Sequence, residues 1–499
     1  MKKIGKVLAS AFVASVLFAS CATTSAVDED VKAKSEKAEK TEKAQGKEKA
    51  SKPVKAKKQK FDREAYNQAF EAGDYLTCYS MLAGKTGKAE EKNAVRNALD
   101  MDMLMYLLGD YTGSGKAFLD TYAQMQQLSS SMTVGDVMKA SMTSENSVKY
   151  SGSEYERYLA WSMRLASALN SDQADVANGI MKDYVGTFMD EIQALRQKNK
   201  ELAEESAKKL ESDEFANAQS SLAGQGADFS FGEKPKITGK TTYENSAFFN
   251  YLGTLAYAVN RDFDHANDFA STYKVENVKD VINVPGGKGR LEVVALSGTI
   301  GKRSDAGEGV EPVGVHINVN NNIVPLYGKV AYPVFKPQEH LINNIRVTLS
   351  DGTKATALLI EDFDEAVQID VNQKAPGAFS RSVFRNIVKN STAAASIIAA
   401  GEALKNADGN AIALTLAQAA FTVAVDAAAK AVINAEKADI RQAELFPHKA
   451  SAAGFSLPAG TYTAQVEYYH DNALVETKTI ENLVVKEGRV TVAVSSCEK

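Results

Sequence analysis

Arg381, Arg385 and Lys389 fall at i, i+4 and i+8 of a run read as helix, which lines three cations along one face. Such a stripe can hold a carboxylate or a phosphate of a ligand or partner. It can instead serve an internal ion-pair network, meeting Asp439 or the acidic stretch Glu361-Asp362-Phe363-Asp364-Glu365. The internal network is preferred, because paired buried charge is a common way to dock a helical insert onto a sheet. Asp439 and Arg441 complete the set of partner- or anion-binding candidates. No catalytic set stands out. His265, His316, His340, His448 and His470 are scattered, without His-Glu-x-x-His or Cys-x-x-Cys company, so each is read as an ordinary side chain and no metal or other cofactor is expected. There is no Gly-x-Ser-x-Gly elbow. The acidic stretch at 361–365 lacks the Gly and distal Glu of a calcium loop. Thr112-Gly113-Ser114-Gly115-Lys116-Ala117 imitates a phosphate-binding loop, but Asp110 stands where its first Gly is required and Ala117 replaces the magnesium-binding Ser/Thr. It reads as a helix turn.

The elements that must position these residues change period along the chain. From Phe61 to about Lys274 the apolar pattern is helical, punctuated by Gly73-Asp74-Tyr75, Gly109-Asp110-Tyr111 and Arg261-Asp262-Phe263. Gly73 and Gly109 are 36 residues apart, near the tetratricopeptide period of about 34. Helices are expected at about Ser153–Asn170 and from about Asp172 to Glu214, with a loop over 216–240. Beyond Lys274 strand patterns appear at Arg290–Leu296, Val313–Val319, Ile323–Phe335, Ile345–Leu349 and Ala355–Ile360, with Ser350-Asp351-Gly352-Thr353 as a hairpin turn. An Ala-rich helical hairpin is expected over 379–437, and strands Tyr462–Tyr469, Leu474–Ile480 and Arg489–Val494 close the chain. The uncharged run Ala411–Val425 fits a hairpin buried on the sheet; the alternative is one that inserts into a membrane or docks a partner. The fold class is α+β: a tetratricopeptide-like α-solenoid over 61–274, then a β-sandwich-like domain over 275–499 carrying the hairpin.

Composition supports a globular body. Among 499 residues, 44% are hydrophobic and 24% charged, with 33 Gly, 10 Pro and three Cys, which excludes collagen-like and disulfide-scaffold classes. The net charge of −5 hides a division. Segment 31–60 holds 12 Lys and 4 Glu, whereas residues 61–499 hold 43 basic and 56 acidic side chains. Too few large apolar residues lie in 21–60 for folding, so a disordered tether is expected there. Lys2, Lys3 and Lys6 precede the apolar run Val7–Phe18, the pattern of an export signal over 1–20. Its 12 residues are fewer than the about 20 that span a membrane. The run ends in Leu17-Phe18-Ala19-Ser20-Cys21, which resembles the bacterial lipobox and implies lipidation of Cys21; the alternative is a plain secretory signal cut after Thr24-Ser25-Ala26. Ala22 follows the Cys, and by the same resemblance the outer membrane is implied. Cys78 and Cys497 are candidates for one disulfide in an oxidising compartment.

Taken in order, the lipobox, the tetratricopeptide-like helices, Tyr243-Glu244-Asn245, Arg261-Asp262-Phe263 and Tyr332-Pro333-Val334-Phe335 lead to the basic stripe Arg381…Arg385…Lys389. The apolar hairpin, Ala438-Asp439-Ile440-Arg441 and Leu457-Pro458-Ala459-Gly460 follow. This order resembles a family of functionally uncharacterised bacterial outer-membrane lipoproteins with a tetratricopeptide-like N-terminal half. The resemblance covers about 240–499 closely and 60–240 in architecture, and it implies location and fold without an activity. The expectation is a lipid-anchored, noncatalytic protein-binding scaffold in cell-surface assembly or maintenance. Its partners would be the membrane, through the anchor, and other proteins, with no nucleic acid. The alternative is a cell-wall- or lipid-acting enzyme with an unrecognised carboxylate site.

Overall fold

Three short sequences set the helix boundaries of the N-terminal region. In the computed structural model, residues 61–499 are described, except 86–87, 407–410 and 434–435; the export signal, Cys21 and the tether lie outside the described residues. The helices are α1 (Arg63–Glu71), α2 (Tyr75–Ala83), α3 (Lys88–Lys92), α4 (Ala94–Leu107), α5 (Tyr111–Ser131), α6 (Val134–Ser141) and α7 (Glu154–Asn170). They continue as α8 (Ala174–Asp183), α9 (Met189–Lys209), α10 (Asp213–Ala223), α11 (Ala247–Val259), α12 (Phe263–Tyr273) and α13 (Lys279–Ile282). At the ends of α1, α4 and α11 the chain enters the left-handed region, at Gly73, Gly109 and Arg261. The next residue, Asp74, Asp110 or Asp262, donates its N–H five residues back and lends its carboxylate to the first turn of α2, α5 or α12. One stretch thus ends one helix and caps the next. The imitation phosphate loop lies within α5, where Gly115 lets the backbone approach Ser167 of α7.

Aromatic packing holds this region together. Trp161 of α7 meets Tyr122, Phe188 and Phe249, with ring centroids 5.4, 5.2 and 6.4 Å away. Each such pair contributes about 0.5–1.5 kcal/mol beyond its area burial. The expected single helix from Asp172 to Glu214 is instead α8, a π-turn at Tyr184–Phe188 and α9; the π-turn turns Tyr184 and Phe188 into the aromatic cluster. Helix α10 occupies the start of the expected loop over 216–240.

Strands β1 (Gly289–Ser297), β2 (Lys302–Asp305), β3 (Val313–Val319), β4 (Asn322–Gly328), β5 (Pro333–Lys336), β6 (Asn344–Leu349), β7 (Lys354–Thr356) and β8 (Leu358–Asp362) follow. Then come α14 (Phe363–Asn406), α15 (Ala411–Ile433), β9 (Lys449–Leu457), β10 (Gly460–His470), β11 (Ala473–Val485) and β12 (Val490–Cys497). One sheet runs β12-β1-β9-β8 and a second β11-β10-β6-β7, with β2-β5 and β3-β4 as separate pairs. All nine residues of β1 are buried. Its Leu291, Val293 and Ala295 meet Val347, Val466 and Tyr468 of the second sheet. Its Val294 and Leu296 join the core of the helices, with Val490, Val494 and Phe446. A strand covered on both faces explains the unbroken apolar stretch Val293–Leu296, and the two charged residues before it, Arg290 and Glu292, are buried as a pair. The architecture is therefore mixed α+β, with an N-terminal helical region, β-rich C-terminal sheets and a long inserted helix. The helices and sheets share a core and cluster as one unit over Lys60–Lys499, so the change of period at 274/275 separates kinds of element.

The insert differs from its expected form in two ways. Helix α14 starts at Phe363 rather than Phe379, and its first half carries the buried residues Phe363, Val367 and Val371. Among the described side chains, one side of the hairpin is covered and the other is open. Ile397 of α14 and Phe421 and Val425 of α15 pack on Ile317 and Val324 of the β3-β4 pair, while Leu416 and Val423 of α15 face outward, 68% and 66% exposed. Among the described residues no helix is long and apolar enough to cross a membrane.

Candidate functional site

Helix α14 lies against α9 and the loop before α7, and the nominated cations face this seam. The two helices come close where Gly377 meets the backbone of Ala203. One turn on, Arg381 grips Glu145 with two bonds, Nε to Oε1 at 2.9 Å and Nη2 to Oε2 at 2.8 Å, and donates to Ser206 Oγ at 2.7 Å. Arg385 reaches Glu145 Oε1 at 2.8 Å and Glu436 Oε2 at 2.8 Å, and also the Ser141 carbonyl at 2.6 Å. Lys389 donates to Glu436 Oε1 at 2.9 Å from the rim. Arg381, Arg385, Glu145 and Glu436 are all buried. Burial works against the Glu145 carboxylate, yet the Arg381 and Arg385 guanidinia hold its carboxyl below the usual range.

The cations therefore serve an internal network, but with partners other than those expected. Asp439 pairs with Arg441, Oδ1 to Nε and Oδ2 to Nη2 both at 2.7 Å, and Arg441 also donates to the Val148 carbonyl at 2.8 Å. The 361–365 stretch is occupied elsewhere. Glu361 accepts from Ser246 Oγ at 2.6 Å and the Phe248 N–H at 2.7 Å, capping α11, and Glu365 meets Lys240 at 2.9 Å. Glu145 lies in the helical half and Glu436 beyond α15, so sequence spacing gives no sign of either. Arg303, another residue the sequence reading missed, donates to Asp370 Oδ2 and Ser153 Oγ, both at 2.6 Å, and to the Arg441 carbonyl at 2.7 Å.

Between these pairs the seam encloses a cavity of about 180 Å³ bordered by six cationic and three acidic side chains. Arg303 and Lys374 share Asp370, Arg381 takes Glu145, and Arg441 takes Asp439. The two others on the cavity wall are Lys149, which is exposed, and Lys198. Lys198 Nζ donates to the carbonyls of Ser129 and Met132, and among the described residues no carboxylate lies within ion-pair distance of it. Burial draws its pKa down. With each guanidinium on its wall paired, the cavity offers the ammonium groups of Lys149 and Lys198 to an acidic group from outside.

Burial raises the carboxyl of Glu154 on the cavity wall, where Arg196 pairs with it, and two carboxylates of α4 away from the cavity are raised as well. Burial pushes Asp102 up to about 7 and raises Asp100 as well, helped there by the neighbouring Glu444 carboxylate. Asp102 accepts from Thr121 Oγ1 at 2.7 Å, and Asp100 from the Glu444 and Leu445 N–H groups at 2.7 and 3.1 Å. Both are buried and serve to tie α5 and the 438–446 segment to α4. Cys78 and Cys497 are free thiols in different apolar clusters, so the candidate disulfide does not form. Of the histidines, His316 and His470 are exposed and His265 sits beside Asp262, but the fold brings His340 and His448 into contact. Comparison with profiles of known families, with curated proteins and with solved structures finds no match to this chain.

Proposed function

We propose that this protein is a lipid-anchored scaffold of the bacterial outer membrane, without catalytic activity of its own, that holds an acidic segment of a partner protein in the seam cavity. The observation that carries the reading is the cation excess of that cavity, with Lys198 unmatched by any carboxylate among the described residues. Paired guanidinia on the other walls keep the cavity rigid, which limits the ordering cost of binding. The recurring helix stop and N-cap at Gly73-Asp74, Gly109-Asp110 and Arg261-Asp262 supports a tetratricopeptide-like solenoid, a form often used for partner binding. The apolar cluster shared by the two four-stranded sheets supports a sandwich-like second half. The lipobox-like Leu17–Cys21 and the resemblance to envelope lipoproteins support the location.

Two experiments test the reading. Cys21→Ala should move the protein from membranes to the soluble fraction, and unchanged retention would remove the anchor from the account. Lys198→Glu should abolish crosslinking to the partner in cells, and Lys198→Gln, whose amide can still donate to the Ser129 and Met132 carbonyls, should weaken it with the melting curve near that of the parent; undiminished crosslinking in both would remove the cavity from it.

A further inference from the structure

His448 and His340 meet where β1, α14 and β9 converge. The His448 N–H donates to the Ser297 carbonyl at 3.0 Å, and its own carbonyl accepts from the Phe363 N–H at 2.8 Å, so its backbone is fixed to the end of β1 and the start of α14. His340, in the loop between β5 and β6, lies parallel to it, the ring centroids 3.2 Å apart and the planes 13° from parallel. Asp364 stands beside both rings. Its Oδ1 accepts the Gly301 N–H at 2.6 Å, which leaves Oδ2 at 3.4 Å from His340 Nε2 and 3.7 Å from His448 Nε2. Asp362 Oδ1 lies 3.3 Å from His448 Nε2, and its Oδ2 lies 3.4 Å from Lys449.

These separations are long for hydrogen bonds, which run about 2.7–3.2 Å. The polar-atom separations match a different arrangement, which is reached when one imidazole turns out of the parallel stack so that both ring planes meet at the ion. A tetrahedral ion with bonds of about 2.0–2.1 Å places its donors about 3.3–3.4 Å from one another. Donor atoms of His340, Asp364 and His448 all lie within 4.8 Å of one another. The backbone is shaped to allow the approach: Gly298, at φ +65°, would bring a Cβ within 3.2 Å of both His340 Nδ1 and His448 Cβ, and a Cβ at Gly301 would lie 2.9 Å from Asp364 Oδ1. The three side chains are 14%, 14% and 5% exposed, for His340, Asp364 and His448, so an ion can enter and is then largely shielded.

We propose that His340, His448 and Asp364 bind one divalent transition-metal ion of the zinc class, with Asp362 beside the fourth position. Two imidazoles and a carboxylate favour zinc, cobalt or nickel over magnesium and calcium, which prefer all-oxygen shells. The Gly301 N–H orients the carboxylate, as an outer-shell partner does in metal sites. The ion fastens the loop before β6, and so the second sheet, to the first sheet and α14. This site is independent of the seam cavity and of the partner assigned to it.

The test is titration of chelator-treated full-length protein with Zn²⁺ and with Co²⁺. One ion per chain should bind, raising the melting temperature, and Co²⁺ should give the intense visible absorption of a four-coordinate site. His340→Gln and His448→Gln should each weaken Zn²⁺ at least about tenfold, since loss of an outer-shell group alone costs that much, whereas His316→Gln should change nothing. Absence of stoichiometric binding by the folded parent, the weak spectrum of six-coordinate Co²⁺, or unchanged affinity in both imidazole variants would overturn the proposal. Should the variants fail to fold, the Co²⁺ spectrum of the parent decides alone.

Discussion

The seam and the imidazole cluster are both polar knots inside a largely apolar body, and they are satisfied in opposite ways. At the seam each buried carboxylate faces a guanidinium: Glu145 faces Arg381 and Arg385, Glu436 faces Arg385, and Asp370 faces Arg303. At the cluster two imidazoles share one oxygen of Asp364, at distances beyond good hydrogen bonds. The first arrangement consumes its own charge and braces the two halves against each other, leaving ligand capacity only at Lys149 and Lys198 on the cavity wall. The second leaves its donor atoms close together, within 4.8 Å of one another, without a guanidinium to answer them. Burial and charge alone therefore do not mark a site; what matters is whether the groups already answer one another.

The comparison breaks most readily at Arg385. Arg385→Ala would leave Glu145 with Arg381 alone and Glu436 with Ser382 and the rim Lys389, and with two buried carboxylates each losing a partner, urea unfolding should report a loss of about 3–5 kcal/mol. A loss below about 1 kcal/mol would mean that water reaches the seam and that its pairs are not structural. Asp102, a buried carboxylate with no guanidinium, sharpens the contrast through pH. Its folded pKa is raised from 3.8 to about 7, so the stability it allows is present below the lower value and is lost as pH rises through the higher. Asp102→Asn should remove that loss, making the variant's stability less sensitive between pH 4 and 8 by up to about 4 kcal/mol. Glu145, whose carboxyl is held low, works with the other sign: its contribution is present above the usual carboxylate range and is lost as pH falls through the lowered value. Lys389 is the rim case, its side chain 29% exposed. Lys389→Ala should cost no more than about 1 kcal/mol, and a larger loss would place it with the buried pairs.

Parts of this molecule were legible in its sequence for local reasons. The Gly-Asp-Tyr stretches carry both a helix stop and a cap within three residues, the strand pattern at 290–296 is a strand covered on both faces, and Ser350–Thr353 closes the β6–β7 hairpin as its turn residues suggest. Elements whose identity depends on distant packing were not legible. Strand β9 is Ala-, Ser- and Gly-rich and has little strand propensity; it is held by pairing with β1 on one side and β8 on the other. The first half of α14 carries Asp364, Glu365 and Pro376 and resembles a loop until its apolar face meets the core. At the sites, the stripe Arg381, Arg385 and Lys389 declared itself through helical spacing. Glu145, Glu436 and Arg303 did not, because each is brought in from another part of the chain. His340 and His448 were passed over for the same reason, since no short motif joins them.

The claim that an acidic partner occupies the seam cavity is tested most directly by placing a photoreactive residue at Lys149, on the exposed side of the cavity wall, and irradiating intact cells. The account predicts one discrete protein adduct that disappears when Lys198→Glu is added and that is absent when the photoreactive residue stands at the exposed Glu487 instead. No adduct from position 149, or an adduct untouched by Lys198→Glu, would contradict it.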